Sequence, residues 1–263
     1  MEEIANLANK NNIEVVEDAS HSIGGSYIVD EKKIPVGSCI YSDMTTFSFH
    51  AIKTISMGEG GAVTSKRANI VNRIKKLRSH GMTAIPGDFK NSHLAFGPSQ
   101  DVNSWYYEMH ELGLNYRASD LHCALGLSQM NKLKTFKKRR EQIVSLYDKL
   151  LEELNPLVKP VFRSPYCSPS WHLYQILVDF DELGFDRNFL IKRLRDLGIG
   201  TQVHYIPVHK QPYFEKIYGK ISLPGSESFY QKTLSLPLFS GMGNDQVLEI
   251  VDGLKQVINE YVK

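Results

Sequence analysis

One lysine between two short apolar runs constrains this chain more than any other feature. Residues 45–49, Thr-Thr-Phe-Ser-Phe, are β-branched and aromatic and suit a buried strand. The chain then leaves that pattern, presents Lys53, and reaches Gly58-Glu59-Gly60-Gly61 before a second apolar run, Ala62-Val63-Thr64. Glycines allow a tight return, so Lys53 is expected just past a strand end. An amine held there away from bulk water is a candidate nucleophile toward a carbonyl. A solvated surface lysine is the plain alternative.

A possible partner lies upstream. Glu17-Asp18-Ala-Ser-His21-Ser-Ile-Gly24 follows the apolar run at 13–16, which reads as a strand and puts Asp18 at its carboxyl end. In open α/β sheets ligands gather at those ends. A carboxylate there can hold a protonated ring nitrogen, and a lysine on a neighbouring strand can hold an aldehyde. These are the two groups that pyridoxal phosphate needs, a Schiff-base lysine and an acidic partner for the pyridinium. Taken singly, Asp18 reads equally as a turn or cap carboxylate, and His21 as an ordinary loop residue.

The wording of these stretches resembles the DegT/DnrJ/EryC1/StrS family of sugar-nucleotide aminotransferases. The resemblance rests on Glu-Asp-Ala-Ser-His-Ser-Ile-Gly, Phe47-Ser-Phe-His-Ala-Ile-Lys53 and Gly-Glu-Gly-Gly. It continues in Arg78-Ser-His-Gly81, Gly113-Leu-Asn-Tyr-Arg117-Ala-Ser-Asp120, Ala124-Leu-Gly-Leu-Ser-Gln129, Ser170-Trp-His-Leu-Tyr174 and Gly198 through His209. These matches run in family order across nearly the whole chain.

The resemblance implies an α/β type I aminotransferase fold. Residues 1–139 would form part of a cofactor-binding large domain with a mostly parallel sheet, and 140–263 a small α+β domain. It also implies pyridoxal 5′-phosphate as cofactor. Lys53 would bond the cofactor and shuttle protons, Asp18 would hold the ring nitrogen, and His21 would lie near the 3-hydroxyl. Ser48 would bond the phosphate, and Arg117 would reach the phosphate in the partner's site of a homodimer. His204 and Tyr205 would line the sugar-nucleotide side. The implied reaction moves an amino group from an amino acid, glutamate, to the ketone of a nucleotide-linked 4-keto-6-deoxy sugar for surface glycan synthesis. A UDP-4-keto-pentose of lipid A modification is an alternative substrate. Family dehydratases carry histidine where Lys53 stands, which argues against that class. The family also implies an N-terminal third before Met1, so a fragment or subunit needing a separate piece is the other alternative.

Composition narrows the remaining classes. A net charge of +2 over 263 residues gives no field for nucleic acid or a membrane surface. An apolar content of 42% with 23% charged residues is that of an ordinary globular enzyme. Cys39, Cys123 and Cys167 are odd in number and lack metal or redox spacing, so free thiols in the cytoplasm are expected. No run is long enough for a membrane span, and the first residues lack signal-peptide shape.

Elsewhere the periodicity predicts helices over 2–10 and 67–79, with Ile70, Val71, Ile74 and Leu77 on one face of the second. A hairpin is expected around Asp30-Glu31-Lys32-Lys33, and residues 80–116 read as a long ordered loop packed through Trp105, Tyr106 and Tyr107. One long helix should start at the Ser119-Asp120 cap and run past Leu150. Strands over 172–178 and 201–205, a helix over 187–197, a Pro-rich stretch over 207–213 and a last amphipathic helix over 245–261 complete the chain.

Overall fold

A computed structural model describes residues 1–261. The first elements are α1 (Glu2–Lys10), β1 (Val16–Asp18), β2 (Ser26–Val29), β3 (Lys32–Pro35), β4 (Met44–Ser48), β5 (Gly61–Thr64), α2 (Ala68–Leu77), β6 (Met82–Thr83), α3 (Ser92–Ala95) and β7 (Glu108–Met109). Then follow α4 (Asp120–Met130), α5 (Leu133–Leu151), β8 (Val158–Pro160), β9 (Cys167–Ser168), β10 (Tyr174–Val178), α6 (Phe180–Leu183), α7 (Arg187–Asp196), α8 (Pro212–Tyr218), α9 (Pro224–Lys232), β11 (Thr233–Leu236) and α10 (Asn244–Asn259). The chain forms two compact units, one of Met1–Ile23 with Ile34–Asn131, the other of Gly24–Lys33 with Lys132–Lys263. The architecture is α/β, as the type I aminotransferase fold requires.

In the first unit the central sheet has the order β1-β4-β5. β1 runs parallel to β4 with Asp18 opposite Thr46, and β5 returns antiparallel with Gly61 opposite Ser48. The sheet is therefore mixed. Alternation along β4 buries Thr45 and Phe47 and leaves Ser48 half-buried at the strand's end. The four apolar residues of α2 are all partly covered.

The second unit contains the large apolar core. Its sheet, β11-β10-β8, is antiparallel. Tyr174, Ile176 and Val178 of β10 point inward at every second position, and all four residues of β11 are buried. α10 supplies Val247, Ile250, Val251, Leu254, Val257 and Ile258, the i, i+3, i+4 stripe of a helix lying on a core. α5 adds Ile143, Val144, Tyr147 and Leu151, and Tyr147 stacks on Tyr174 with ring centroids 4.6 Å apart. The buried Arg140 is accommodated because its guanidinium donates to the carbonyls of Trp171, His172 and Leu238. The hairpin β2–β3 joins β9 in a separate three-stranded sheet.

Four expectations need correction. The long helix is two helices, α4 and α5, broken at Asn131 and Lys132. Residues 201–205 form no strand, since only Gln202 exchanges backbone bonds, with Ser235. The Pro-rich stretch over 207–213 runs into α8 at Pro212, and α9 follows, each with proline at its first helical position, where a missing N–H costs nothing. Residues 80–116 hold β6, α3 and β7, and of the three aromatic residues expected to pack, Tyr106 meets Phe89 edge-on at 4.9 Å while Trp105 and Tyr107 are exposed. No helix among the described residues is long and apolar enough to cross a membrane.

Candidate active site

Two adjacent parallel strands deliver the candidate groups to one edge of the first unit's sheet. β1 ends on Asp18, and the β4 chain continues past Ser48 into the turn that carries Lys53. That turn is closed by backbone bonds: Lys53 N–H donates to His50 O at 2.9 Å, Met57 N–H to Phe49 O at 2.8 Å, and Phe49 N–H to Gly60 O at 2.9 Å. Gly58 sits at φ +84°, a conformation that favours glycine. Gly61 lets β5 come so near β4 that an added Cβ would lie 2.5 Å from Phe47 O. The Gly-Glu-Gly-Gly motif thus fixes where the lysine stands.

Lys53 Nζ lies 2.7 Å from His21 Nε2. An ammonium has no lone pair and neither has an imidazolium. One of the two facing nitrogens therefore accepts and the other donates. Both side chains are half-buried. Asp18 is exposed, and its Oδ1 accepts from Ser20 Oγ at 2.5 Å and Ser20 N–H at 3.0 Å. These two bonds hold the carboxyl below its ordinary range, and the positive charge of the His21–Lys53 pair adds a smaller pull in the same direction. Ser48 Oγ accepts from His50 N–H at 3.4 Å, and His50 in turn lies 3.5 Å from Glu59.

Asp18, His21, Ser48 and Lys53 thus share one unit, and three of them interact. Arg117 belongs to the same unit, exposed on the segment before α4. His204 and Tyr205 belong to the second unit. There His204 Nδ1 bonds Ser235 Oγ at 2.8 Å, its carbonyl accepts from Gln175 Nε2 at 2.9 Å, and its ring meets that of Tyr205 edge-on at 4.6 Å. Sequence reasoning passed over Ser20. The Asp-x-Ser spacing, in which a side chain bonds the backbone two residues on, was the available indication.

The chain is similar to known proteins along nearly its whole length. The sequence profile of the DegT/DnrJ/EryC1/StrS aminotransferase family matches residues 1–255. The UDP-4-amino-4,6-dideoxy-N-acetyl-beta-L-altrosamine transaminase of Campylobacter jejuni serotype O:23/36 is 37% identical over 263 residues, covering 100% of this chain and 63% of its own. The spore coat polysaccharide biosynthesis protein SpsC of Bacillus subtilis is 34% identical over 261 residues, 98% of this chain and 63% of its own. Among solved structures, PseC of Helicobacter pylori, an aminotransferase involved in pseudoaminic acid biosynthesis, superposes with a TM-score of 0.83 at 27% identity, covering 98% of this chain and 62% of PseC. The chain spans a little under two thirds of the length of these curated relatives. A profile match over nearly every residue, carried by a fold that puts Asp18 and Lys53 on neighbouring strand ends, makes this chain a member of the DegT/DnrJ/EryC1/StrS aminotransferase family.

Proposed function

We propose that the chain binds pyridoxal 5′-phosphate and transfers an amino group from glutamate to the keto carbon of a nucleotide-linked 4-keto-6-deoxy sugar. One observation carries this reading: an anion and an amine stand at the carboxyl ends of adjacent parallel strands, with a hydroxyl at the end of one of them. That donor set fits the cofactor. Asp18 would hold its ring N–H, Lys53 would engage its carbonyl carbon, and Ser48 would donate to its phosphate. When bound, the cofactor supplies an electron sink for carbanion chemistry. His21 keeps Lys53 oriented through their 2.7 Å contact. Lys53 would also serve as the general base that moves protons between carbon atoms. Arg117 would serve a phosphate in a second copy, and His204 with Tyr205 would contact the sugar nucleotide.

We also propose a homodimer. α4 buries none of its residues and leaves Leu121, Leu127 and Leu125 exposed at 83%, 69% and 44%. An apolar surface of that kind marks a protein contact. The three free thiols suit the reducing cytoplasm, where we place the protein. The altrosamine transaminase among the relatives favours a UDP-linked amino sugar over the pentose alternative.

The test is a half-reaction. The chain loaded with pyridoxal phosphate and given glutamate should release one equivalent of 2-oxoglutarate per site, and a Lys53→Ala chain should release none. Equal release from both would refute the assignment.

A further inference from the structure

We propose that Ser20 is the positioning residue of the site: it clamps one oxygen of Asp18 and thereby presents the other to the cofactor's ring nitrogen. The proposal rests on the cofactor reading above and names a residue which that reading does not use.

Ser20 is itself held to the sheet. The neighbouring Ala19 is buried and continues the β1–β4 pairing by donating its N–H to Thr46 O at 2.9 Å. Ser22 N–H then donates to Ala19 O at 2.9 Å and closes a turn around Ser20. From that fixed position the backbone N–H and the hydroxyl of Ser20 converge on a single atom, Asp18 Oδ1, at 3.0 and 2.5 Å. A hydroxyl donating to a carboxylate is among the stronger hydrogen bonds proteins make. Two such donors fix the rotation of the carboxylate plane and concentrate the protein's bonds on Oδ1. Both of these bonds fall on Oδ1, and neither uses Oδ2.

The chemistry asks for this division. A carboxylate that holds a pyridinium must remain ionised and must keep one oxygen directed at the ring N–H. Asp18 is exposed, so burial neither fixes its orientation nor excludes water. The His21–Lys53 pair that faces it acts on its charge. The orienting element is Ser20.

The experiment compares wild type, Ser20→Ala and Ser20→Thr in the full chain. Carbon-13 NMR follows the Asp18 carboxyl titration without cofactor, and an absorbance titration measures pyridoxal phosphate affinity. Ser20→Ala should titrate Asp18 at higher pH than wild type and bind the cofactor roughly tenfold more weakly, the loss of one hydrogen bond to a charged group. Ser20→Thr, which keeps the hydroxyl, should restore both. An unchanged Asp18 titration in Ser20→Ala overturns the proposal, as does an affinity loss without a titration shift, which would mark a merely structural role. A wild-type chain that takes up no pyridoxal phosphate overturns the functional reading and the cofactor half of this one. The cofactor-free titration still decides the Ser20–Asp18 contact.

Discussion

Replacing Gly61 by alanine should displace the lysine turn without touching any candidate catalytic group. A Cβ at Gly61 would stand 2.5 Å from Phe47 O, where real contacts stay beyond 3.0 Å. The obstacle is backbone, so relief requires a movement of about 0.5 Å or more, the difference between those two distances. β4 is held on its other side by β1, so the movement falls on β5 and the 49–60 turn. Overpacking of this kind costs about 1–3 kcal/mol, which is roughly 5- to 150-fold in the folding equilibrium. The bond from Phe49 N–H to Gly60 O is the first to lengthen, and the Lys53–His21 contact follows. Urea unfolding gives the stability, and hydrogen exchange at the Phe49 amide gives the local change. Gly87→Ala is the control, since its Cβ meets nothing within 4 Å and it reports only the entropy lost from the unfolded chain. If Gly61→Ala matched this control in both measurements, the claim that the glycine fixes the turn would be wrong.

Four further outcomes are expected. Asp18→Asn, which keeps the shape and removes the charge, should weaken pyridoxal phosphate binding roughly 10- to 150-fold, measured by absorbance titration. On β7, burial raises the Glu108 carboxyl, but bonds from His110, the N–H groups of Lys90 and Asn91, and Tyr106 outweigh it and hold the group at about 2. Its folded value lies below the ordinary 4.5, so its contribution is complete above 4.5 and is lost as pH falls toward 2; fluorescence of the nearby Trp105 should change over that window, and Glu108→Gln should abolish the change. Leu127→Asp on α4 should convert a dimer to monomers in sedimentation while moving the stability of each chain by no more than about 0.5 kcal/mol; Arg117→Ala should leave the dimer intact and lower cofactor affinity, and unchanged affinity would refute the shared site.

The sequence was most legible where backbone need and side-chain chemistry coincide. Asp18 after an apolar run, and Lys53 between a strand and a glycine turn, could be placed because strands and glycines leave local marks. The observed β1 begins only at Val16, the last residue of the apolar run at 13–16, and Asp18 closes it. α10 and β10 were legible because each has one face on a core and the other in water. The break between α4 and α5 was not, because Asn131 and Lys132 are both compatible with helix and tertiary packing decides. β11 was missed because all four residues are buried, polar Thr233 and Ser235 included, so no alternation shows. Ser20 was missed for a different reason: its importance lies in which oxygen it bonds, and spacing alone does not contain that.

The most direct measurement of the central claim is to add pyridoxal phosphate to the purified 263-residue chain, reduce with borohydride, and map the modified peptide by mass spectrometry. The expected result is a single pyridoxyl group on Lys53, absent from Lys53→Ala and diminished in Asp18→Asn. A group distributed over surface lysines, or one that persists in Lys53→Ala, would contradict the account.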